Sequence, residues 1–192
     1  MAKNKIAITG GIGSGKSFIC RSIEAAGYPI FYCDDEAKRI IRHDARVQKA
    51  LCELVGDGVY DTEGKLVKSV LANFLCRGKA YAAQVDTIVH PRVGEAFLAW
   101  AEAQSTSRVF MECALLFESG FDRYVDCTIH VAAPQEVRIQ RVMARDQVTR
   151  EKVLEWMALQ LPEEEKARRA DFVILNDGKQ DLPSQISQFI KD

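Results

Sequence analysis

The sequence shows no excess of charge of either sign. Its 26 lysine and arginine residues nearly balance 27 aspartate and glutamate residues, and the formal net charge at pH 7 is -1. Nucleic acids and anionic lipid surfaces attract proteins through a positive field, so this composition favours neither as a partner. We therefore expect no nucleic-acid partner, and we expect any anion site to be local.

Metal-ligand spacing is also missing. The six cysteines contain no C-x-x-C pair and the three histidines show no ligand spacing with them, so a structural zinc site is not expected. A chain of 192 residues that is 47% hydrophobic needs no disulfides to stabilise its core. The early apolar stretch Ile6–Thr9 is too short for a signal peptide or a membrane span. These absences predict a reduced, cytoplasmic, single-domain protein with no membrane partner, and they leave its oligomeric state open.

Apolar runs of β type alternate with helical patterns along most of the chain. This alternation predicts an α/β fold around a mainly parallel sheet. A long stretch after the second run breaks the rhythm with several successive helical patterns, which predicts a helical insertion into the sheet domain. The runs are Ile6–Thr9, Ile30–Cys33, Val109–Leu116, Cys127–Ala132 and Phe172–Leu175.

Two further helices are predicted after the fourth run. One follows Pro134 and extends to about Gln147 with its basic residues outward, and the next extends from Arg150 to about Leu161. The run EEEKARR at 163–169 is predicted to be a solvated helix face.

A glycine-rich loop stands between the first strand and the first helix. Gly10, Gly15, Lys16 and Ser17 satisfy the pattern G-x-x-x-x-G-K-[ST], with a strand before it and a helix after it. In such a loop the backbone N–H groups and the helix N-terminus hold phosphate oxygens. The lysine then reaches the terminal phosphates and the serine hydroxyl binds Mg²⁺, so a nucleoside triphosphate ligand is predicted.

The surroundings of the loop favour a kinase over a switch GTPase. A GTPase needs an N-K-x-D-like motif, and the chain offers only the sequence NDGK at 176–179. The sequence DTEG at 61–64 fits D-x-x-G, but it lies in the helical insertion and is treated as a coincidence. A switch GTPase and another P-loop small-molecule kinase are kept as alternatives.

A kinase also needs a metal-binding acid, cations for the phosphoryl group and a group that orients the acceptor hydroxyl. Glu112 in an apolar run is the candidate for the metal, unless it pairs with a lysine. Asp34 or Asp35, after the second strand, is the candidate for the hydroxyl, unless it caps the helix predicted at Asp35–Ile41.

Three arginines supply the candidate cations. Arg138, Arg141 and Arg145 share one face of a predicted helix, where mutual repulsion favours a bound polyanion. The alternative is a solvated basic face, and it applies most to Arg138.

Taken together, several short strings resemble the dephospho-coenzyme A kinase family. They occur in the family's order between about Ile6 and Gly178 and are far more specific than the P-loop alone. The strings are TGGIGSGKS, CDDEAKR, His90-Pro91, ALLFESG at 114–120, RVMARD at 141–146, Gln160 and ADFVILNDG at 170–178.

The resemblance implies a three-layer P-loop kinase fold with a five-stranded parallel sheet. It implies a core at 1–34 and 106–192, a helical insertion at 35–105 that binds the acceptor, and a lid at 135–165. The implied reaction phosphorylates the ribose 3′-hydroxyl of dephospho-CoA with ATP and Mg²⁺, giving CoA and ADP.

The resemblance also implies a set of site residues. Asp34 corresponds to the base, with Asp35 as its rival, and Arg145 corresponds to the lid arginine with Arg141 nearby. Ser17 and Glu112 are the expected metal ligands. Acceptor contacts are expected at Asp34, His90, Leu116 and Phe117, although the last two alternatively complete the core. ATP contacts are expected at Gly11, Ile12, Gly13, Ser14, Gly15, Lys16, Ser17, Phe18, Asn176 and Gly178.

Three positions depart from the family's pattern. Tyr32 and Cys33 replace the first two residues of the usual D-A-D, which is why Asp34 and Asp35 remain rivals. Ala114 replaces a proline, which relaxes the backbone without removing a functional group. Neither His90 nor Glu118 has a role that follows from its residue type.

Overall fold

A computed structural model describes residues 3–190 and divides the chain into two compact units. The sheet unit comprises Met1–Phe31 and Trp100–Asp192, and the helical unit comprises Tyr32–Ala99. Within the described residues, no helix is both long and apolar enough to span a bilayer.

Five strands form one sheet in the order β2-β3-β1-β4-β5. The pairs β1 with β3, β1 with β4, and β4 with β5 are all parallel. Because Ile8 pairs with both Glu112 and Ile129, the carboxyl ends of the three central strands lie side by side, where open α/β sheets bind their ligands. The strands are β1 Asn4–Thr9, β2 Ile30–Tyr32, β3 Arg108–Glu112, β4 Cys127–Ala132 and β5 Phe172–Leu175.

Within residues 3–190 there are nine α-helices and two short 3₁₀ segments. The 3₁₀ segments are Asp57–Val59 and Phe121–Tyr124. The α-helices are α1 Lys16–Ala25, α2 Cys33–His43, α3 Ala45–Val55, α4 Lys68–Leu75, α5 Lys79–Ala103, α6 Gln135–Asp146, α7 Arg150–Met157, α8 Glu163–Arg169 and α9 Leu182–Ile190.

The core of the sheet unit is continuous along its central strands. Ala7 and Ile8 of β1, Phe110 of β3 and Ile129 of β4 are completely buried. Strands of a parallel sheet are covered on both faces, which is why these segments read as unbroken apolar runs in the sequence.

The helical unit has its own small core. Val47 and Leu51 of α3 and Leu71 and Phe74 of α4 are buried, as the helical spacing predicts. Asp44 caps α3, because its carboxylate accepts hydrogen bonds from Arg46 N at 2.9 Å and Val47 N at 3.2 Å.

The predicted element order is confirmed, and several boundaries shift. β2 ends at Tyr32 and α2 begins at Cys33, so Asp34 and Asp35 belong to a helix rather than to a strand end. β3 ends at Glu112 rather than Leu116, because the chain turns after the strand while Cys113 and Leu116 stay buried. α7 ends at Met157 rather than Leu161.

Candidate active site

The glycine-rich loop joins the end of β1 to the start of α1. Gly15 precedes the helix in a left-handed conformation, and no side chain caps α1. The first N–H groups of the helix are therefore available to an anion. Lys16 folds back over the loop, where its Nζ donates a hydrogen bond to Gly10 O at 2.8 Å.

Two loop positions admit only glycine. Gly13 has φ +78°, and a Cβ there would lie 2.5 Å from Arg138 O. Gly15 has φ +93°, and a Cβ there would collide with the side-chain amide of Asn176. Both positions combine a left-handed backbone with close packing from another segment, so the glycines serve this loop's shape directly.

A cavity of about 550 Å³ lies over the loop and brings nine of the predicted site residues together. Its lining includes the loop residues Lys16 and Ser17, Glu112 at the end of β3, and Arg141 and Arg145 on α6. The sequence separates the first and last of these by more than 120 residues, and the parallel sheet brings them to one edge.

Arg141 is held against the loop. Its guanidinium lies 3.4 Å from Ser14 O and 3.3 Å from Asn176 Oδ1, and Asn176 Nδ2 donates to Ser14 O at 2.8 Å. A second cavity, of about 270 Å³, is lined here by Gly15, Phe18, Arg141, Asn176 and Leu182. Gly178 lies in the turn after β5 and does not line that cavity.

Arg145 is the more exposed of the two arginines. It pairs with the adjacent Asp146 at 2.7 Å, and 62% of its side-chain surface is exposed. The hydrogen bond and charge of Arg145 lower the pKa of Asp146. This local pairing leaves the guanidinium at the rim of the larger cavity, where it can turn toward a ligand.

Arg138 does not line the cavity over the loop with the other two candidate cations, and the alternative of a solvated basic face is wrong for it as well. Its exposed fraction is 4%, its Nε donates to Ile12 O at 2.9 Å, and its Nη1 lies 3.2 Å from Glu163 Oε1. Burial lowers the pKa of Arg138, and the charge of Glu163 opposes that shift. The residue is a structural cation of the loop, so it does not belong to a solvated basic face.

Arg138, Gln160 and Glu163 surround the loop at Ile12, and we call these three residues the Ile12 clamp. Gln160 Oε1 accepts a hydrogen bond from Ile12 N at 2.9 Å, while Arg138 binds the carbonyl of the same residue. A Cβ on Gly11 would collide with both Glu163 and Arg138, so the clamp also packs against the loop backbone. The clamp therefore binds both the backbone N–H and the backbone carbonyl of Ile12, which fixes the loop at that residue.

Glu163 is the acidic member of this clamp. Its Oε2 lies 3.3 Å from Nε2 of His130, a completely buried histidine on β4. Burial opposes the ionisation of Glu163, but the close approach of His130 Nε2 and the charge of Arg138 outweigh it and lower the pKa of Glu163.

The prediction of a solvated face at 163–169 is therefore wrong for part of this helix. Lys166 is also completely buried, and its Nζ lies 3.3 Å from Glu118 Oε1. The same oxygen accepts a hydrogen bond from Leu161 N at 2.9 Å, so Glu118 anchors the turn between α7 and α8. The charge pattern alone carried no signal of this burial, and Gln160 stood out only through the family resemblance.

The predicted acid residues of the helical unit lie in the first turn of α2. Asp34 and Asp35 are both exposed. Asp35 does not cap the helix: the cap position is Tyr32, no side chain caps it, and Asp35 Oδ1 instead accepts from Lys38 Nζ at 3.0 Å. Since successive helical residues point about 100° apart, the two carboxylates face different directions.

The remaining predicted acceptor residues have different surroundings. His90 on α5 is half-buried and its Nε2 lies 3.4 Å from Asp86 Oδ1. Leu116 is completely buried, and Phe117 lies under the guanidinium of Arg169, 4.4 Å from its ring centre. Both apolar residues belong to the core of the sheet unit, and their contact with an acceptor stays a prediction.

The metal residues have the chemistry that Mg²⁺ prefers. Within residues 3–190, no group of three or more histidine, cysteine, aspartate or glutamate side chains is arranged to hold a metal ion. Mg²⁺ in a phosphate site commonly takes only one or two protein oxygens, plus phosphates and water. The Ser17 hydroxyl and the Glu112 carboxylate line the same cavity and fit that requirement.

Comparisons with known proteins identify the family. The dephospho-CoA kinase family model matches residues 4–181. The dephospho-CoA kinase of Bacteroides fragilis strain YCH46 is 43% identical over 187 residues, covering 97% of this chain and 91% of that protein. The Salinibacter ruber enzyme of the same name is 40% identical over 176 residues, covering 90% and 88%.

Solved structures agree in fold. A protein from Thermus thermophilus has a TM-score of 0.82 at 32% identity, covering all of this chain and 96% of its own. The dephospho-CoA kinase of Campylobacter jejuni has a TM-score of 0.71 at 23% identity, covering 98% and 96%, and this likeness concerns the fold alone. The family match spans most of the chain and the relatives match at nearly full length, so this chain belongs to the dephospho-CoA kinase family.

Proposed function

We propose that this protein transfers the γ-phosphoryl group of ATP to the ribose 3′-hydroxyl of dephospho-CoA, giving CoA and ADP in the last step of CoA biosynthesis. Membership of the family supplies the acceptor. The observation that carries the proposal is the cavity over the glycine-rich loop, where one lysine, two arginines, one serine and one glutamate converge. That set provides the cations and the metal ligands that phosphoryl transfer requires.

ATP binds with its phosphates on the loop and its base in the smaller cavity. The uncapped start of α1 and Lys16 hold the phosphates, and Phe18 and Asn176 line the space for the adenine. The Ile12 clamp keeps the loop in its binding shape before ATP arrives, so less ordering is needed on binding.

Ser17 and Glu112 hold Mg²⁺ in this proposal. When bound there, Mg²⁺ would supply positive charge that neutralises the phosphates of ATP. Glu112 stands at the end of a buried strand, and its charge adds to the effect of burial that raises the pKa of Cys20 to about 12. An acid in such surroundings gains from a nearby cation.

Arg145, and to a lesser extent Arg141, stabilise the phosphoryl group as it moves between the two oxygens. Arg145 is the better candidate because its side chain is exposed and paired only with its neighbour, so closure of the segment 135–165 can bring it inward. Arg141 already binds the loop and Asn176, so its contribution is divided between structure and catalysis.

Asp34 orients the acceptor hydroxyl and accepts its proton. It is exposed at the first turn of α2, and among the described residues its side chain has no ion pair or hydrogen bond, whereas Asp35 pairs with Lys38. The residues 35–105 bind the acceptor, and His90, Leu116 and Phe117 are its proposed contacts. A cytoplasmic location is part of the proposal, and the six free cysteines support it.

An ADP-release assay tests the function. We expect ADP to form only when dephospho-CoA is present, with CoA appearing in equal amount and Mg²⁺ required. Equal ADP release without an acceptor would favour a nucleotide switch, and release that depends on another hydroxyl compound would favour another P-loop kinase. The D-x-x-G string at 61–64 does not support the alternative of a switch GTPase, because it lies in a turn of the helical unit.

A further inference from the structure

The helical unit contains a cavity of its own, about 320 Å³ in volume, which we call the α2–α4 cavity. Three segments form it: the end of α2, the turn at 61–65 and the start of α4. The residues with ionisable side chains that line it are Arg42, His43, Glu63, Lys65 and Lys68.

The lining carries an uncompensated positive charge. Lys65 pairs with Glu63 at 2.7 Å, which cancels one charge of each sign. Among the described residues, the side chains of Arg42 and Lys68 have no ion pair or hydrogen bond, so the arginine and lysine side chains of the cavity retain two uncompensated positive charges. Cations gathered from separate segments around one concavity repel each other, and a bound anion removes that repulsion.

The turn at 61–65 is built rigidly. Asp61 Oδ1 accepts hydrogen bonds from Glu63 N at 2.9 Å and Lys65 N at 2.8 Å, and Asp61 N donates to Lys65 O at 2.9 Å. Tyr60 donates its hydroxyl to Ile41 O at 2.6 Å, which ties the turn to the end of α2. The DTEG string is therefore the turn that places Lys65 beside Arg42.

The start of α4 adds to the same field. Lys68 is the first residue of this eight-residue helix, and no side chain caps it at Val67. Because Lys68 lines the cavity, the N-terminus of α4 with its partial positive charge lies next to the cavity as well.

We propose that the α2–α4 cavity binds a diphosphate group and that dephospho-CoA supplies it. The inference rests on the proposed function for its source of diphosphate. Asp34 and Arg42 stand in the first and last turns of one helix, about 12 Å apart along its axis at 1.5 Å per residue. The diphosphate of dephospho-CoA is attached to C5′ of the ribose that carries the 3′-hydroxyl, so an acceptor with its hydroxyl at Asp34 has its diphosphate only a short distance further along α2. The long side chain of Arg42 can reach back toward it, because helical side chains tilt toward the N-terminus of their helix. The two negative charges of the diphosphate match the two unpaired cations.

Inorganic pyrophosphate is the probe for the cavity itself. Backbone amide NMR signals of residues 61–69 report this cavity, while those of residues 10–17 report the glycine-rich loop. We expect both sets to shift in the wild-type protein, and the first set to lose its shifts when Arg42→Ala and Lys68→Ala are combined. The affinity at the cavity should fall at least about tenfold, since hydrogen bonds to charged groups are the stronger kind.

Arg46→Ala combined with Lys49→Ala is the matched control. Both residues are exposed on α3 and neither lines the cavity. The double substitution removes two positive charges from the same unit, as the cavity variant does. The control should leave the shifts of residues 61–69 unchanged. Absent shifts in the wild-type protein, or equal loss in both double variants, would overturn the cavity as an anion site. If the first double variant melts early, Lys68→Gln alone replaces it in the same comparison.

Kinetics with dephospho-CoA identify the source of the diphosphate. The cavity variant should raise KM for dephospho-CoA more than it lowers kcat, while KM for ATP stays constant. An unchanged KM beside lost pyrophosphate binding would overturn the acceptor as the source and assign the cavity to a free phosphorylated ligand. A wild-type protein that does not turn over dephospho-CoA would refute the proposed function, and the NMR result would still decide whether the cavity binds an anion.

Discussion

The sheet unit buries charged side chains completely between distant segments, whereas the charged side chains of the helical unit stay at least partly exposed, including the Asp44–Arg92 pair between distant segments. Every polar or charged residue classed as buried in the described chain lies in the sheet unit: Thr9, Ser14, Thr128, His130, Arg138, Lys166 and Asn176. In the helical unit, Asp35 pairs with Lys38 and Glu36 with Arg39, each three residues apart.

The difference reflects what each unit has to do. Breaking a buried pair leaves an uncompensated charge and is strongly destabilising, whereas exposed pairs contribute little. Buried pairs around the glycine-rich loop hold a binding shape in place, and exposed cations around a cavity stay available for a ligand. Four substitutions and one pH dependence test the roles of these charges.

The largest effect is expected at Lys16. Lys16→Ala should lower kcat/KM by about a hundredfold to a thousandfold, because the developing charge loses its cation while the loop amides still bind phosphate. Melting curves should show an intact fold. Lys49→Ala, an exposed lysine of the helical unit, is the control and should keep full activity. A Lys16→Ala enzyme with more than about a tenth of wild-type turnover, a deficit under about 1.4 kcal/mol, would contradict the site.

Asp34→Asn should lower kcat by at least about a hundredfold, since general-base catalysis is typically of that size or greater. It should leave ATP binding and the melting temperature nearly unchanged, because Asp34 is exposed. Asp35→Asn is the matched control and should be mild, since it removes only an exposed pair with Lys38. A crippled Asp35→Asn beside an active Asp34→Asn would reverse the assignment, and two active variants would remove the base from α2.

Arg145→Ala should lower kcat by at least about tenfold, or 1.4 kcal/mol in the barrier, with a smaller change in KM for ATP. Arg141→Ala should lower kcat less, and Arg145→Lys should restore activity only in part, since lysine lacks the planar fork. Arg168→Ala, which removes an exposed arginine paired with Glu165, should leave steady-state kinetics unchanged. An unchanged kcat in Arg145→Ala would refute its proposed role.

Glu163→Gln tests the buried charge directly. The substitution keeps the shape of the side chain but leaves Arg138 without its counter-ion. We expect the free energy of unfolding to fall by about 1–3 kcal/mol and KM for ATP to rise as the loop loosens. Glu165→Gln on the same helix should change stability by less than about 1 kcal/mol, because its partner Arg168 is exposed. Equal effects in the two variants would break the contrast between buried and exposed charge.

The smallest expected effect is a pH dependence of the Glu163 contribution. Because the folded-state pKa of Glu163 is lowered, its stabilisation is present above the unfolded-state value of about 4.3 and is lost as pH falls through the folded-state pKa. The difference in melting temperature between wild type and Glu163→Gln should therefore be constant near pH 7 and shrink below about pH 4. A difference that grows on acidification would contradict the ionised form of Glu163.

The sequence by itself determined the features that depend on neighbouring residues. Four loop residues, the strand before them and the helix after them predicted the phosphate site, because this loop's shape follows from its own glycines. Apolar runs predicted the five strands, because a parallel strand buried on both faces needs such a run. The run of β5 is apolar as well, although Phe172, Val173 and Leu175 are exposed. The lysine and the serine of the site needed no further information.

Only the tertiary structure decided which charges are buried and what they hold. Gln160 and Arg138 meet Ile12 across 148 and 126 residues of chain, and no local pattern records such a contact. The run at 163–169 carries a charged residue at six of its seven positions, as a solvated helix face does. Glu163 and Lys166 nevertheless point inward, where they meet partners on β4, α6 and the turn after β3. Local periodicity fixes which face of a helix is apolar, whereas the burial of a charge depends on counter-ions that distant segments supply.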